Sequence, residues 1–254
     1  MNIKKIFLSV LILLVSTFFS GAYAQFEGQI EMKTYSHDKG KTEPSTVNMY
    51  VTNNRILIRG EENFDFHNSM SAEGLLIRND MKDFVVMVGE KKALQVTKAE
   101  IEELVGMFSS WGDNSHSSNG NRHKKPNYAY TSRTRTIMGY ECTEMILNSE
   151  DGNSHLSVWL TPNIDINWGI LAQPWKNLPK DFDEGINIMS QDVVFKGKNF
   201  PLLIEAVDED GGRETVMEVV SLNESSIAKA MVQIPSNVSL VSAKEYIFDL
   251  MMNQ

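Results

Sequence analysis

The side chains in this sequence that could catalyse a reaction do not have the spacing of a known catalytic motif. A nucleophilic serine would need a strained elbow such as G-x-S-x-G, which does not occur, and no phosphate-binding loop or dinucleotide fingerprint occurs either. Of the five histidines, only His116 and His123 are close together, in a polar segment that offers no rigid ligand set for a metal. We therefore expect a non-enzymatic protein without catalytic residues, metal site or cofactor.

Two charged clusters could do weaker chemistry. Asp208-Glu209-Asp210 could bind calcium weakly, although an acidic hairpin tip usually contacts only water. Arg122-His123-Lys124-Lys125 could contact anionic lipid headgroups, each basic residue contributing about 1 kcal/mol near such a surface. The alternative for this basic run is a solvated loop.

The single cysteine, Cys142, lies in the stretch TIMGYECTEMIL. Met138, Tyr140, Cys142 and Ile146 alternate along one face of this stretch, and Glu144 interrupts them. We expect the thiol to point inward as a small apolar filler instead of serving as a reactive nucleophile. A lone cysteine excludes an intramolecular disulfide, so the core must hold without covalent cross-links.

Residues 1–24 are typical of a cleaved secretory signal peptide. Two lysines precede the apolar stretch Ile6–Phe19, and Ala22-Tyr23-Ala24 matches the small-x-small cleavage pattern. The residue after the cut is Gln25, so lipid attachment at a new N-terminal cysteine does not apply. The apolar stretch is short, and no later one approaches the ~20 residues of a membrane span. The sequence predicts a soluble, exported protein, periplasmic or secreted, that does not span a membrane.

The mature chain is acidic. Loss of two lysines and no acids with the signal peptide changes the net charge from −9 to about −11. Nucleic acid is therefore not expected as a partner, because phosphate binding needs clustered lysine and arginine. Residues 25–254 are enough to bury a sizeable core, and we predict that they form one β-rich domain.

Alternating apolar residues predict strands through most of the chain. In FEGQIEMKTY, Phe26, Gly28, Ile30 and Met32 share one face and polar residues share the other. STVNMYVT and RILIRG are joined by a turn at Asn53-Asn54, and further hairpins are predicted around Asn79-Asp80 and Gly211-Gly212. Short connections make the first half an antiparallel meander.

The pattern changes from strand to helix at Thr97. Thr97 and Glu100 form a capping box, and an apolar stripe at helical spacing follows over residues 101–108. Residues 112–127 lack periodicity and are predicted to be a mobile polar loop. A bulge or bend is expected at Gly139, and short helical turns over the sheet are expected within residues 163–190, where two prolines exclude a long helix.

Several of these segments together resemble a known family. FEGQIEMK, TRTIMGYECTE, VWLTPNI and SLNESSIAKAMVQIPSNV resemble an uncharacterised family of secreted bacterial proteins, domain-of-unknown-function family 4412, over most of the mature chain. That family is similar in pattern to the periplasmic lipoprotein carriers of the LolA/LolB type. The resemblance implies an open antiparallel β-barrel around helices, with an apolar cavity for acyl chains. It supplies no catalytic residue.

The expected fold is therefore mainly β with helices: an antiparallel, partly open β-barrel or curved sheet wrapped around a few helices. We expect a non-enzymatic binding or carrier protein for a lipid-like or other apolar ligand. The alternative is an envelope module with a filled core and no small-molecule ligand, which binds another protein through its rim or a loop. Fourteen methionines and four tryptophans suit a variable apolar cavity. The candidate cavity residues are Ile101, Leu104, Val105, Phe108, Trp159, Trp168, Leu171 and Trp175.

Overall fold

The computed structural model of this protein describes residues 25–38, 41–61, 64–66, 70–89, 91–100, 128–149, 153–172 and 193–246. The predicted signal peptide, the polar loop at 112–127 with its basic run, and the stripe at 101–108 lie outside the described residues. Among the described residues, none forms a helix with the length and hydropathy that a membrane span requires.

The first half of the chain forms an antiparallel meander. Its strands are β1 (Gly28–Asp38), β2 (Lys41–Val51), β3 (Arg55–Gly60), β4 (Phe64–Phe66), β5 (Met70–Ala72), β6 (Gly74–Arg78), β7 (Asp83–Met87) and β8 (Lys92–Thr97). β4 and β5 pair only with each other among the described strands, and the other six lie in the order β8-β7-β6-β3-β2-β1. The predicted meander and its turns at Asn53-Asn54 and Asn79-Asp80 are confirmed.

The second half of the chain forms the strands on the other side of β1, starting with β9 at the edge of the sheet. Its strands are β9 (Tyr128–Ile137), β10 (Tyr140–Asn148), β11 (His155–Thr161), β12 (Phe200–Val207), β13 (Arg213–Glu224) and β14 (Ser239–Ser242). β9 to β13 follow one another in space, and β13 pairs with β1. β14 adds to β8 at the far edge, in parallel, whereas the other pairs in the twelve-stranded sheet are antiparallel.

The sheet is open, because β14 and β9 end it without pairing to each other among the described strands. Register shifts occur at Glu31/Met32, Thr143/Met145, Trp159/Leu160 and Ile204/Glu205. All four lie in the part of the sheet from β1 to β9. Since bulges bend a strand and increase its twist, they curve this half of the sheet.

The main core covers one face of the sheet, which we call the inner face. Its buried side chains include Ile30, Met49, Ile77 and Trp159, from strands on both sides of β1. Residues 162–172, which follow β11, pack against this face with Ile164, Ile166, Trp168 and Ile170 and include the 3-10 helix Gly169–Ala172. Short helical turns were predicted here, and the 3-10 helix confirms them for the described part.

Asparagine side chains hold residues 162–172 at the lower end of the sheet, where β2, β6 and β11 end. Asn79 Nδ2 donates to the Asn167 carbonyl at 2.7 Å, and Asn167 Nδ2 donates to the Asn53 carbonyl at 3.1 Å. Gly169 has a φ of +50°, and a Cβ there would lie 1.6 Å from Asn79 Oδ1. Only glycine allows this close approach in a left-handed conformation.

On the opposite, outer face, the connection from β13 to β14 covers the part formed by β3, β6, β7 and β8. This connection contains the 3-10 helix Lys229–Val232, and Val232 packs on Leu57, Leu76 and Val85. At the lower end of this face, Arg78 and Asp83 form a buried bidentate ion pair, with Nε–Oδ1 at 2.7 Å and Nη2–Oδ2 at 2.6 Å. The pair lets two charged residues lie at the end of an otherwise apolar layer.

Three sequence expectations need comment. The capping box is confirmed, since the Thr97 backbone N–H donates to Glu100 Oε2 at 2.8 Å and residues 98–100 are helical. The expected bulge or bend at Gly139 is wrong. Met138 and Gly139, with φ of 51° and 85°, form the tight turn of a hairpin between β9 and β10. The expectation that the sheet wraps around a few helices stays a prediction; among the described residues, the inner face carries the short 3-10 helix Gly169–Ala172.

Candidate functional site

The inner face is apolar on the strands near β8 and partly charged on β9 to β13. On β9 to β13 it carries charged side chains beside the apolar core: Arg133, Glu144, Glu205 and Arg213, with Trp159 between them. These residues come from five adjacent strands, and residues 162–199 separate β11 from β12 along the chain. The sheet, and no local sequence motif, therefore brings them together.

Strand pairing explains why these side chains meet. Glu144 on β10 pairs directly with Trp159 on β11, and Ser157 on β11 pairs with Glu205 on β12. Directly opposite residues of antiparallel strands have Cβ atoms about 4.5–5.5 Å apart on the same face. On the edge strand, Arg135 pairs with Cys142, so it lies one step lower on this face than Glu144.

Glu144 is fully buried and fully hydrogen-bonded. Its side chain has 0% exposure, yet its oxygens accept hydrogen bonds from Ser157 Oγ at 2.7 Å, Thr131 Oγ1 at 3.0 Å and Arg133 Nη1 at 3.0 Å. Arg213 Nη2 lies 3.9 Å from the same carboxylate. A buried carboxylate is tolerated only when it is paired in this way, so Glu144 anchors the surrounding polar side chains.

Glu205 links Trp159 to Arg213 by accepting a hydrogen bond from each. Trp159 Nε1–H donates to Glu205 Oε2 at 3.1 Å, and Arg213 Nη1 donates to the same oxygen at 2.9 Å. The indole is 3% exposed, and its ring also belongs to the main apolar core. Trp159 is thus held in one orientation by packing on one side and a hydrogen bond at its edge.

Two guanidinium groups lie against the Trp159 ring. Arg133 Cζ is 5.5 Å and Arg135 Cζ is 5.8 Å from the ring centroid, within the range of cation–π attraction. Both arginines are exposed, the Arg133 side chain by 55%. No carboxylate among the described residues lies within ion-pair distance of Arg135. We call Arg133, Arg135 and Trp159 the arginine site.

The charges of this region do not balance. Three arginines meet two glutamates, and the acids lie beneath while Arg133 and Arg135 face solvent. A pair of guanidinium groups is well suited to phosphate or carboxylate oxygens, because each presents a planar fork of N–H donors. The arrangement can bind an oxyanion.

Burial raises the pKa of the neighbouring Cys142 thiol, and this outweighs the lowering effects of a backbone hydrogen bond and of the Arg135 charge. The thiol is a buried, free cysteine, as the alternating pattern predicted. Burial also raises the pKa of Tyr140, with a smaller contribution from Glu224. Neither group supplies a thiolate or phenolate at neutral pH.

The predicted cavity residues divide into two groups. Trp159 and Trp168 are buried in the inner-face core, and Leu171 packs against it while partly exposed. The structure therefore brings these three together on one face. Ile101, Leu104, Val105, Phe108 and Trp175 lie outside the described residues, so their predicted role in a cavity stays a prediction.

Sequence reasoning did not identify the arginine site. Glu144 was recognised only as an interruption of an apolar face, and Arg133 and Arg135 were not singled out. Their alternation in TSRTRT, next to a strand with an inward acid, is the one local signal. No group of three His, Cys, Asp or Glu side chains within the described ranges could hold a metal ion, and the expectation of no metal site stays a prediction.

Fold and site together define a mostly β protein with an unclosed sheet. Among the described residues, the inner face of this sheet is partly apolar and carries an exposed arginine pair. The chain belongs to the family described as a domain of unknown function (DUF4412), whose model matches residues 26–238. This match confirms the resemblance drawn from the sequence. No curated protein matches the sequence significantly.

Three solved structures are similar to this chain over most of its length. PNGF-II is 13% identical to this chain, with a TM-score of 0.43. The match covers 87% of this chain and 32% of PNGF-II. An uncharacterised conserved protein from Thermus thermophilus is 8% identical, with a TM-score of 0.39. The match covers 85% of this chain and 91% of the Thermus protein. A LolA-superfamily protein from Nitrosomonas europaea is 10% identical with a TM-score of 0.30, covering 83% and 91%.

The chain spans about a third of the length of PNGF-II. At these identities and TM-scores the three likenesses transfer no function to this chain.

Proposed function

We propose that this protein is a non-enzymatic binding or carrier protein of the cell envelope that holds a lipid-like or other apolar ligand on its inner face. The observation that carries the proposal is a group of apolar side chains on that face that the described segments leave partly exposed. They lie on five strands and include Met32, Ile58, Leu75, Phe84 and Met217.

These side chains form part of one continuous surface. Ile58 pairs with both Met49 and Leu75, and Phe84 pairs with Ile77, so apolar residues of adjacent strands touch from β2 to β7. An apolar ligand placed on them would gain about 25 cal/mol for each Å² removed from water. Methionine side chains adapt their shape, which suits acyl chains of variable length.

Residues 162–172 are placed to cover such a ligand. They are anchored to the lower end of the sheet by the Asn79 and Asn167 side chains, whereas Leu171 contacts the apolar core and stays partly exposed. Export to the envelope follows from the predicted signal peptide.

The test is mass spectrometry of the intact protein under native conditions, together with mass spectrometry of an organic extract of the purified mature chain. We expect a lipid-like molecule to co-purify in stoichiometric amount. Leu171→Glu should abolish its retention, because a charge would enter the apolar surface. Val220→Glu is the matched control, since Val220 is exposed on the sheet. Met217→Gln gives a second, milder inner-face variant if Leu171→Glu does not fold.

A ligand-free mass that stays unchanged when lipids are offered would contradict the proposal. Equal retention in Leu171→Glu, Met217→Gln and Val220→Glu would do so too, because the ligand would then not occupy the inner face.

A second candidate is an envelope module that binds another protein. It is favoured by β9, a ten-residue strand at the edge of the sheet. The hydrogen-bonding edge of β9 that faces away from β10 pairs with no described strand. Exposed edges of this kind accept a strand from a partner through main-chain hydrogen bonds. If the extract contains no ligand, we expect Thr134→Pro to abolish partner binding without unfolding the protein, because proline removes an edge donor.

A further inference from the structure

We infer that the arginine site binds the anionic oxygens of a phosphate or carboxylate headgroup, so that the ligand is an anionic amphiphile. This inference rests on the proposed function and specifies its ligand class. Three features of the described residues carry it: the unneutralised charge of Arg135, the fixed position of Arg133, and the contact between this site and the apolar core.

The first feature is the excess positive charge. Glu144 is already occupied by Ser157, Thr131 and Arg133, and Glu205 by Trp159 and Arg213. Neither acid contacts Arg135, whose guanidinium lies over the Trp159 ring and faces solvent. A protein with a formal net charge of −9 thus exposes a local excess of positive charge on one face. Such a patch draws anions over short range.

The second feature is that Arg133 is held in place before any ligand arrives. Its Nη1 donates to a carboxylate that is fully buried, and its guanidinium also rests on the tryptophan ring. An arginine fixed on a buried partner loses little side-chain entropy when it binds a ligand. The remaining donors of its planar fork point away from Glu144 and can donate to an oxyanion, together with those of Arg135.

The third feature is continuity with the apolar surface. Trp159 carries the two guanidiniums on its ring and belongs to the same buried cluster as Cys142, Leu203 and Trp168. A headgroup on Arg133 and Arg135 would therefore have its chain directed along the apolar inner face. An anionic head beside an apolar chain is the chemistry of a fatty acid or an anionic phospholipid. A free phosphate would use the same arginines without the apolar surface.

The experiment measures binding of three probes by isothermal titration calorimetry to the mature protein stripped of co-purifying lipid. Dihexanoyl phosphatidylglycerol supplies an anionic head with short chains, dihexanoylglycerol has the same chains and no phosphate, and glycerol phosphate is a head without chains. We expect the anionic lipid to bind about tenfold more tightly than the uncharged lipid, from the strength of one charge-assisted hydrogen bond.

Arg135→Gln should weaken binding of the anionic lipid by about tenfold and leave binding of the uncharged lipid within about twofold. Arg59→Gln is the matched control, because it removes the same charge from an exposed arginine on the outer face. Arg135→Lys keeps the charge without the planar fork and should give an intermediate loss. Thermal unfolding of each variant checks that the fold is retained.

The outcomes separate this inference from the proposed function. Equal binding of both lipids, unaffected by Arg135→Gln, would overturn the headgroup site and leave an apolar-ligand carrier. Binding of glycerol phosphate alone, lost in Arg135→Gln, would support the oxyanion site with a free anion as its source and overturn the apolar ligand. If no probe binds, the headgroup site is overturned, and a co-purifying neutral lipid would then sustain the proposed function by itself.

Discussion

Replacement of Glu144 tests whether the buried carboxylate organises the polar half of the inner face. Glu144→Ala removes the acceptor of three hydrogen bonds, whereas Glu144→Gln keeps the shape and most of the acceptors. In the glutamine variant, one amide oxygen can accept from Arg133 and Ser157, and the amide nitrogen can donate to the Thr131 hydroxyl. The two variants therefore separate loss of charge from loss of the network.

The expected free energies of unfolding follow from the surroundings of Glu144. In the alanine variant, the fully buried Ser157 hydroxyl is left without its acceptor, which costs about 1–3 kcal/mol. The space left by the side chain costs about 1–2 kcal/mol more. Arg133 is half exposed and can turn to water, so it adds little. Glu144→Ala should lose about 3 kcal/mol, and Glu144→Gln about 1 kcal/mol.

The measurement is urea unfolding of the mature protein at neutral pH, followed by circular dichroism and tryptophan fluorescence. Glu141→Ala on the same strand is the control, because Glu141 is exposed on the outer face and its loss should change stability by less than about 0.5 kcal/mol. Equal losses for Glu144→Ala and Glu144→Gln would refute the network, since a geometric network must distinguish them. A loss no larger than that of Glu141→Ala would show that Glu144 is not buried in solution.

Three further predictions concern other features of the fold. Gly169→Ala should cost about 2–3 kcal/mol against about 1 kcal/mol for Gly211→Ala in urea unfolding, because both glycines have positive φ but only Gly169 lacks room for a Cβ. Asp83→Asn should cost about 3–5 kcal/mol by leaving a buried arginine unpaired, whereas Asp80→Asn, in a more exposed pair, should cost less than about 1 kcal/mol; similar costs would contradict the burial. Since burial raises the pKa of Cys142, the folded protein should react with a thiol reagent far more slowly than the urea-unfolded chain at pH 8. The stability that this group contributes should be present below its unfolded pKa of about 8.5 and be lost as the pH rises further.

Local patterns predicted most of the strands and the turns between them. Alternation placed Phe26, Ile30, Met49 and Val51 on one buried face, and all four are buried there. The hairpins at Asn53-Asn54 and Gly211-Gly212 and the capping box at Thr97 also follow from residues close in sequence. These features are predictable because a strand's period, a tight turn and a helix cap depend on a few neighbouring residues.

One local expectation was wrong and one strand was not predicted, and each has a physical reason. Gly139 suits a bulge and a tight turn equally well by its conformational freedom, and only the pairing of β9 with β10 selects the turn. β14 is four residues long and has no clear alternation, and it is a strand because the edge of β8 supplies its hydrogen bonds. In both cases a partner strand decides the local conformation.

Residue patterns along the chain were sufficient to predict the mostly β composition, the run of antiparallel hairpins, the buried cysteine and the family. Long-range pairing, in contrast, sets β13 beside β1, places β9 at an edge of the sheet, and brings Glu205 and Arg213 beside Trp159 and Glu144. The reason is that alternation tells which residues share a face of one strand but not which strands are neighbours. Sheet order depends on contacts between distant residues, and the charge and burial at the arginine site depend on that order.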